Sequence, residues 1–139
     1  MTGRDKKREM NVATVKSMFG DLAAKDVDAW ISHWADEGAR QLIPFSPEGF
    51  PGIVEGKETL RQIYRDLVAG YGTLRYTHIE IYPMEDPDTV VAEWGVDIEV
   101  REGGRYENEL IGIFRFKDGN VVELKEYFNP ENFKKAIAK

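Results

Sequence analysis

Asn120-Val121-Val122-Glu123-Leu124-Lys125-Glu126-Tyr127-Phe128-Asn129-Pro130 reads as a last β-strand, stopped by Asn-Pro, with one acid, Glu126, in line with apolar side chains. Lys117-Asp118-Gly119 just before it is a hairpin signal, and the run 106–116 alternates as the partner strand. The face that Glu126 occupies depends on how this hairpin closes. A two-residue Asp118-Gly119 turn pairs Phe116 with Val121 and sets Glu126 beside Ile111, Ile113 and Arg115. A three-residue loop with Gly119 in the left-handed conformation shifts the register by one. Asn108, Leu110, Gly112 and Phe114 then share a face with Val122, Leu124, Glu126 and Phe128, and Arg115, Lys117, Glu123 and Lys125 lie opposite. This second closure gathers the apolar side chains and is the preferred reading. It surrounds Glu126 with Leu110, Leu124 and Phe128, with Tyr106 and Asn108 farther along the neighbouring strand. A carboxyl group in such a place is desolvated, its pKa rises, and it becomes suited to proton transfer near neutrality. The alternative is a structural acid that hydrogen-bonds a tyrosine or a helix terminus.

Working back from the hairpin, the chain alternates in period two. Val90, Ala92, Trp94, Val96, Ile98 and Val100 share one face of a long strand, bounded by the Asp86-Pro87 turn and the Gly103-Gly104 hairpin. In the strand over 74–82, Thr77, Ile79 and Ile81 oppose Tyr76, His78, Glu80 and Tyr82. Earlier, the period becomes helical. Leu60, Ile63, Tyr64, Leu67 and Val68 form an i, i+3, i+4 stripe over 57–68, closed by Gly70 and Gly72. Asp26 caps a helix carrying Val27, Trp30, Ile31 and Trp34, expected to end at Asp36-Glu37-Gly38. From Asn11, a candidate N-cap, Val12, Val15, Met18, Phe19, Leu22 and Ala23 make the first stripe. A short strand is expected over 40–43. The loop 44–52 carries three prolines and two phenylalanines, and either packs on the core edge or closes over a pocket. A terminal helical turn is expected over 132–138. Helices segregated from a four-strand antiparallel meander indicate an α+β fold, with 1–10 a disordered, solvated lead-in and 11–139 a single domain.

At 139 residues with 42% hydrophobic and 32% charged side chains, the chain suits one soluble domain with its own core. A net charge of −6 argues against a nucleic-acid or anionic-membrane surface. No apolar run reaches the length of a bilayer span, and the charged opening has no h-region behind it. The absence of cysteine excludes disulfides, thiolate metal sites and a cysteine nucleophile, and fits a cytoplasmic protein. With two histidines besides, no metal or other cofactor is expected. Gly103-Gly104 is a turn, not a phosphate loop, and Ser46 lacks an elbow motif.

The element order, with Trp34-Ala35-Asp36-Glu37-Gly38, Gly56-Lys57-Glu58, the Asp86-Pro87 turn followed by Ala92-Glu93, Phe116-Lys117-Asp118-Gly119 and the ending from Lys125 to Pro130, resembles the nuclear transport factor 2-like superfamily. More narrowly, it resembles the SnoaL-like branch and its phenazine-biosynthesis A/B proteins, over roughly 12–133. The resemblance implies a cone-shaped roll whose curved sheet wraps around three helices and leaves an apolar cavity. It implies homodimers, and members range from cyclases, isomerases and dehydratases to non-catalytic binders. Glu126 stands where the pocket acid of the phenazine A/B proteins would be, Tyr106 matches their pocket tyrosine, and their third-helix histidine is replaced near Ile63.

Three functions follow: an acid/base enzyme acting on a cyclic or polyketide-like metabolite, a ligand-binding module, and a protein-interaction domain. In the first, Glu126 moves a proton, Tyr106 holds a carbonyl or oxyanion, and Trp30, Trp34 and Phe114 sandwich an apolar ring. Asn108, Phe128 and Ile63 are further candidate lining residues, and Trp94 either lines the cavity or packs outside it, depending on the register of the Gly103-Gly104 hairpin. His33, on the flank of the Trp30/Trp34 stripe, is either at the cavity mouth or bonded to its helix. His78 is expected on the outer side. The face opposite Glu126 carries Ile111, Ile113 and Tyr127, apolar enough to predict a homodimer surface.

Overall fold

The computed structural model describes residues 2–137. Its elements are α1 (Gly3–Ala23), α2 (Val27–Ile31), β1 (Arg40–Leu42), β2 (Ile53–Glu55), α3 (Lys57–Ala69), β3 (Tyr71–Pro83), β4 (Thr89–Val100), β5 (Arg105–Lys117), β6 (Asn120–Phe128) and α4 (Pro130–Ile137). The strands form one open, curved six-stranded sheet in the order β2-β1-β6-β5-β4-β3. All neighbours are antiparallel except β1 and β6, which run parallel and make the sheet mixed. The first three helices cover its concave face, the α+β arrangement expected from the sequence.

The long strands and α3 follow their periodicity closely, because each buries one face. Leu60 and Val90 are wholly buried, and Val15, Met18, Trp30 and Val96 join them in a single core. Among the described residues no helix is long and apolar enough to cross a membrane.

Several expectations are corrected. Residues 3–10, expected as a frayed lead-in, are the helical first turns of α1, and all but Arg8 are solvent-exposed. Thr2 and Asp5 form a reciprocal capping box there. Arg8 Nε donates to the Met84 carbonyl at 2.8 Å and Arg4 Nη2 to that of Glu85 at 2.9 Å, tying the helix to the β3–β4 turn. Asn11 is therefore mid-helix and buried, with Nδ2 donating to the Pro87 carbonyl at 2.9 Å, and is not an N-cap. The second helix stops at Ile31, well before Gly38. Trp34 instead forms a parallel bridge to Val121, and the Val121 amide donates to the His33 carbonyl at 2.9 Å. Backbone groups of β6 thus take the hydrogen bonds that a longer α2 would have used.

Strand β2 is too short for a periodic signal, and pairs with β1 through Arg40↔Glu55, Gln41↔Val54 and Leu42↔Ile53. Strand β3 begins at Tyr71, directly after the α3 cap at Gly70. A register shift between Tyr76 and His78 separates these two residues, which strict alternation had placed on one face. Helix α4 starts at Pro130, whose missing N–H costs nothing at a first helical position. Ala138, in the expected terminal turn, lies outside the described residues.

Candidate functional site

The last hairpin closes on two residues, not three. Lys117 pairs with Asn120, leaving Asp118 (φ 51°) and Gly119 (φ 84°) as a two-residue turn with left-handed conformations at both positions. Phe116 then pairs with Val121, but Arg115 pairs with Glu123, so Val122 is an extra residue in β6. This bulge shifts the register by one, opposing Gly112 to Glu126 and Phe114 to Leu124. Glu126 thus reaches the concave face by a different route from the one expected.

There it lines a cavity of about 190 Å³ enclosed by the sheet, α1, α3 and the loop 43–52. Of the expected lining residues, Trp30, Ile63, Trp94, Tyr106, Phe114 and Phe128 surround this space together with Glu126. Phe19 meets Trp94 edge-on at 5.0 Å and Tyr76 at 5.1 Å, and Trp30 leans on Tyr64 at 4.0 Å. Gly112 makes room for this wall: a Cβ there would stand 2.9 Å from Trp94 Cη2. The loop is part of the enclosure, since Ile43, Ser46, Pro47, Phe50 and Pro51 face the cavity and Phe50 meets Phe133 of α4 edge-on at 5.0 Å.

Glu126 is the only acidic or basic side chain among the described residues lining this cavity. Burial raises its carboxyl pKa from the ordinary value to about 7. Gln41 Nε2 donates to its Oε2 across 3.4 Å, and Gln41 Oε1 accepts from the Tyr64 hydroxyl at 3.1 Å. Tyr106 is displaced upward to about 12, chiefly by burial, with the Glu126 charge adding to it and a hydrogen bond from Asn108 opposing it. That bond, Asn108 Nδ2 to Tyr106 Oη at 2.9 Å, leaves the tyrosine's own proton available for donation.

Three expected site residues do not line the cavity. Asn108 is buried behind Tyr106, its Nδ2 shared with the Asn129 carbonyl at 2.9 Å, and it positions that ring. Trp34 lies one layer deeper, 1% exposed, meeting Trp30 at 5.5 Å, because its bridge to β6 draws it off the α2 stripe. Its Nε1 is a buried donor with no partner among the described residues. His33 is turned to Asp21, with Nε2 3.2 Å from Oδ2. His78 pairs with Glu109 at 2.7 Å on the outer side. Sequence reasoning missed Gln41, Tyr71 and Tyr76 and left Tyr64 as mere core. A hydroxyl-bearing ring on the α3 stripe was a usable signal for Tyr64, whereas nothing local marked the other three.

The SnoaL-like domain family matches residues 15–124. YesE of Bacillus subtilis (strain 168), an uncharacterized protein, is 31% identical over 125 residues, covering 89% of this chain and 84% of its own. PA3332 of Pseudomonas aeruginosa, an uncharacterized PhzA/B-like protein, is 28% identical over 106 residues, with coverages of 76% and 74%. The crystal structure of a Bacillus subtilis protein provisionally described as an isomerase superposes with a TM-score of 0.86 at 28% identity, covering 98% of this chain and 95% of its own.

Proposed function

This chain belongs to the SnoaL-like domain family, and from that premise we propose that it is a cofactor-independent enzyme doing acid/base chemistry on a small cyclic, polyketide-like substrate. The observation that carries the reading is Glu126, the single carboxyl among the described residues lining an apolar cavity, with its pKa raised to about 7. A carboxyl poised there takes a proton from carbon or oxygen and returns it elsewhere on the same ring, the common step of isomerisation, cyclisation and dehydration. Tyr106, its hydroxyl oxygen already bonded by Asn108, donates its proton to the oxygen on which charge develops. The isomerase-described structure and the PhzA/B-like relative support this class.

The test is carbon-acid exchange: 2-tetralone in D₂O, with loss of its α-proton signal followed by NMR. The wild-type protein should accelerate exchange, Glu126→Gln should lose about two to four orders of magnitude of that acceleration, and Tyr106→Phe a smaller part. Equal exchange in wild type and Glu126→Gln sinks the catalytic reading.

One observation favours a second reading, a non-catalytic binding module: among the described residues lining the cavity, no second carboxyl and no histidine accompanies Glu126. Saturable binding of ring compounds without turnover of any would select it. On the opposite face, Ile111 pairs with Tyr127 and Ile113 with Lys125, and Ile111 is 39% exposed. The proposal includes a homodimer through this face, checked by sedimentation of the wild type and Ile111→Lys.

A further inference from the structure

Four tyrosines feel the charge of Glu126, and their hydroxyls are not equivalent. That of Tyr64 donates to Gln41, and that of Tyr106 accepts from Asn108 and keeps its proton for the reacting oxygen of the substrate. Those of Tyr71 and Tyr76 have no hydrogen-bond partner among the described residues, although both rings line the cavity and Tyr71 is only 8% exposed. Burial pushes both hydroxyls well above their ordinary pKa, so they remain neutral donors at any physiological pH. Both sit on β3, where the bulge after Tyr76 turns His78 outward and leaves Leu74 and Tyr76 opposite Ile98 and Val96 of the concave face. Buried polar groups are normally satisfied, so two idle donors in an apolar cavity point to acceptors on whatever fills it.

Charge narrows the class. No lysine, arginine or histidine is among the described residues lining the cavity. Lys25 Nζ donates to the Tyr71 backbone carbonyl at 2.6 Å. An acid placed here would be desolvated next to Glu126 with no counter-charge, at a cost of several kcal/mol on the order of other buried unpaired ions. A site built for a cation would hold Glu126 ionised with short hydrogen bonds. Instead it has one donor among the described residues, at 3.4 Å, and burial dominates its titration. The volume, about 190 Å³, exceeds the ~150 Å³ that suffices for benzene.

Resting on the cavity being the substrate site, we propose that its ligand is an uncharged one- or two-ring compound bearing two acceptor oxygens, met by the Tyr71 and Tyr76 hydroxyls, and that ring acids are excluded.

The experiment is a calorimetric titration with matched probes: naphthalene, 1-tetralone, 1,4-naphthoquinone, 1-naphthoate and 1-naphthylmethylamine. The quinone forms no thiol adduct with a chain that lacks cysteine. Affinity should rise from naphthalene to tetralone to quinone, with roughly two- to tenfold gained per oxygen. Tyr71→Phe and Tyr76→Phe should each remove about one such factor for the quinone and leave naphthalene unchanged, which also controls for folding. Naphthoate should bind more weakly than naphthalene, in wild type and in Glu126→Gln alike. Tighter binding of naphthoate or the amine than of the quinone overturns the proposal, as does an unchanged quinone-to-naphthalene ratio in both Tyr→Phe variants. If no probe binds, the cavity reading falls and takes this one with it. If Glu126→Gln retains full proton exchange, only the catalytic reading falls and the affinity order stands.

Discussion

Gln41 grips Glu126 from β1: its Nε2 lies 3.4 Å from the carboxyl Oε2, while its Oε1 accepts from the Tyr64 hydroxyl. The tyrosine donor fixes which end of the amide faces the acid. Gln41 is 2% exposed, so neither bond is replaced by water. Gln41→Leu should therefore raise the Glu126 pKa further, because the ionised form loses its one donor while its burial is unchanged. The Tyr64 hydroxyl would also be stranded, costing about 1–3 kcal/mol of stability. Carboxyl ¹³C NMR across pH reads the first effect. A Glu126 midpoint that stays put or falls would show that the amide does not hold the acid.

The pKa of Glu126 also sets a pH dependence of folding. An acid whose pKa rises from 4.5 unfolded to about 7 folded binds more protons in the native state between those values. Stability then falls as pH rises through this window. Its full penalty, about 3 kcal/mol, is reached above the folded pKa. Glu126→Gln has no such titration. Urea unfolding of both proteins should show wild type losing ground to the variant from pH 5 to pH 8, with a constant difference below the unfolded pKa. A pH-independent difference would mean that Glu126 is solvated.

Gly112 is small because Trp94 and Leu124 use its space. An added Cβ would lie 2.9 Å from Trp94 Cη2 and 3.0 Å from Leu124 Cδ1. The indole cannot retreat freely, with Phe19 at 5.0 Å and Phe114 at 6.5 Å. Gly112→Ala should cost about 1–3 kcal/mol by overpacking and shift Trp emission by moving the ring. Wild-type stability with unchanged emission would contradict this geometry.

Periodicity made α3 and the four long strands legible, since each buries one side over nine residues or more. It also put Glu126 on the right face, because only that register collects Leu110, Phe114, Leu124 and Phe128. Among what it missed were two of the sheet's irregularities. The Val122 bulge and the one after Tyr76 carry no glycine or proline to mark them, so turn chemistry suggested a three-residue loop and alternation tied Tyr76 to His78. The polar half of the site was hidden for a different reason. Gln41 meets Glu126 through a three-residue strand 85 positions away, and a contact of that separation leaves no trace in local pattern. Trp34 shows the same limit, being placed by its bridge to Val121 rather than by its helix stripe.

The bulge itself is open to test by deletion. Because Val122 is the unpaired residue of β6, removing it leaves Arg115↔Glu123, Phe114↔Leu124 and Gly112↔Glu126 in step with Phe116↔Val121. The hairpin becomes regular and Glu126 keeps its inward face. The cost should be limited to re-seating the Val121 contacts with Trp34 and His33, on the order of 1–3 kcal/mol. Removing Lys125 instead leaves the bulge in place and shifts every later residue by one, turning Glu126 and Phe128 outward and Tyr127 inward. That variant should not reach a cooperative fold. Circular dichroism melts of the two deletions decide the matter: a Val122 deletion that unfolds while the Lys125 deletion melts like wild type would refute the assignment of the bulge.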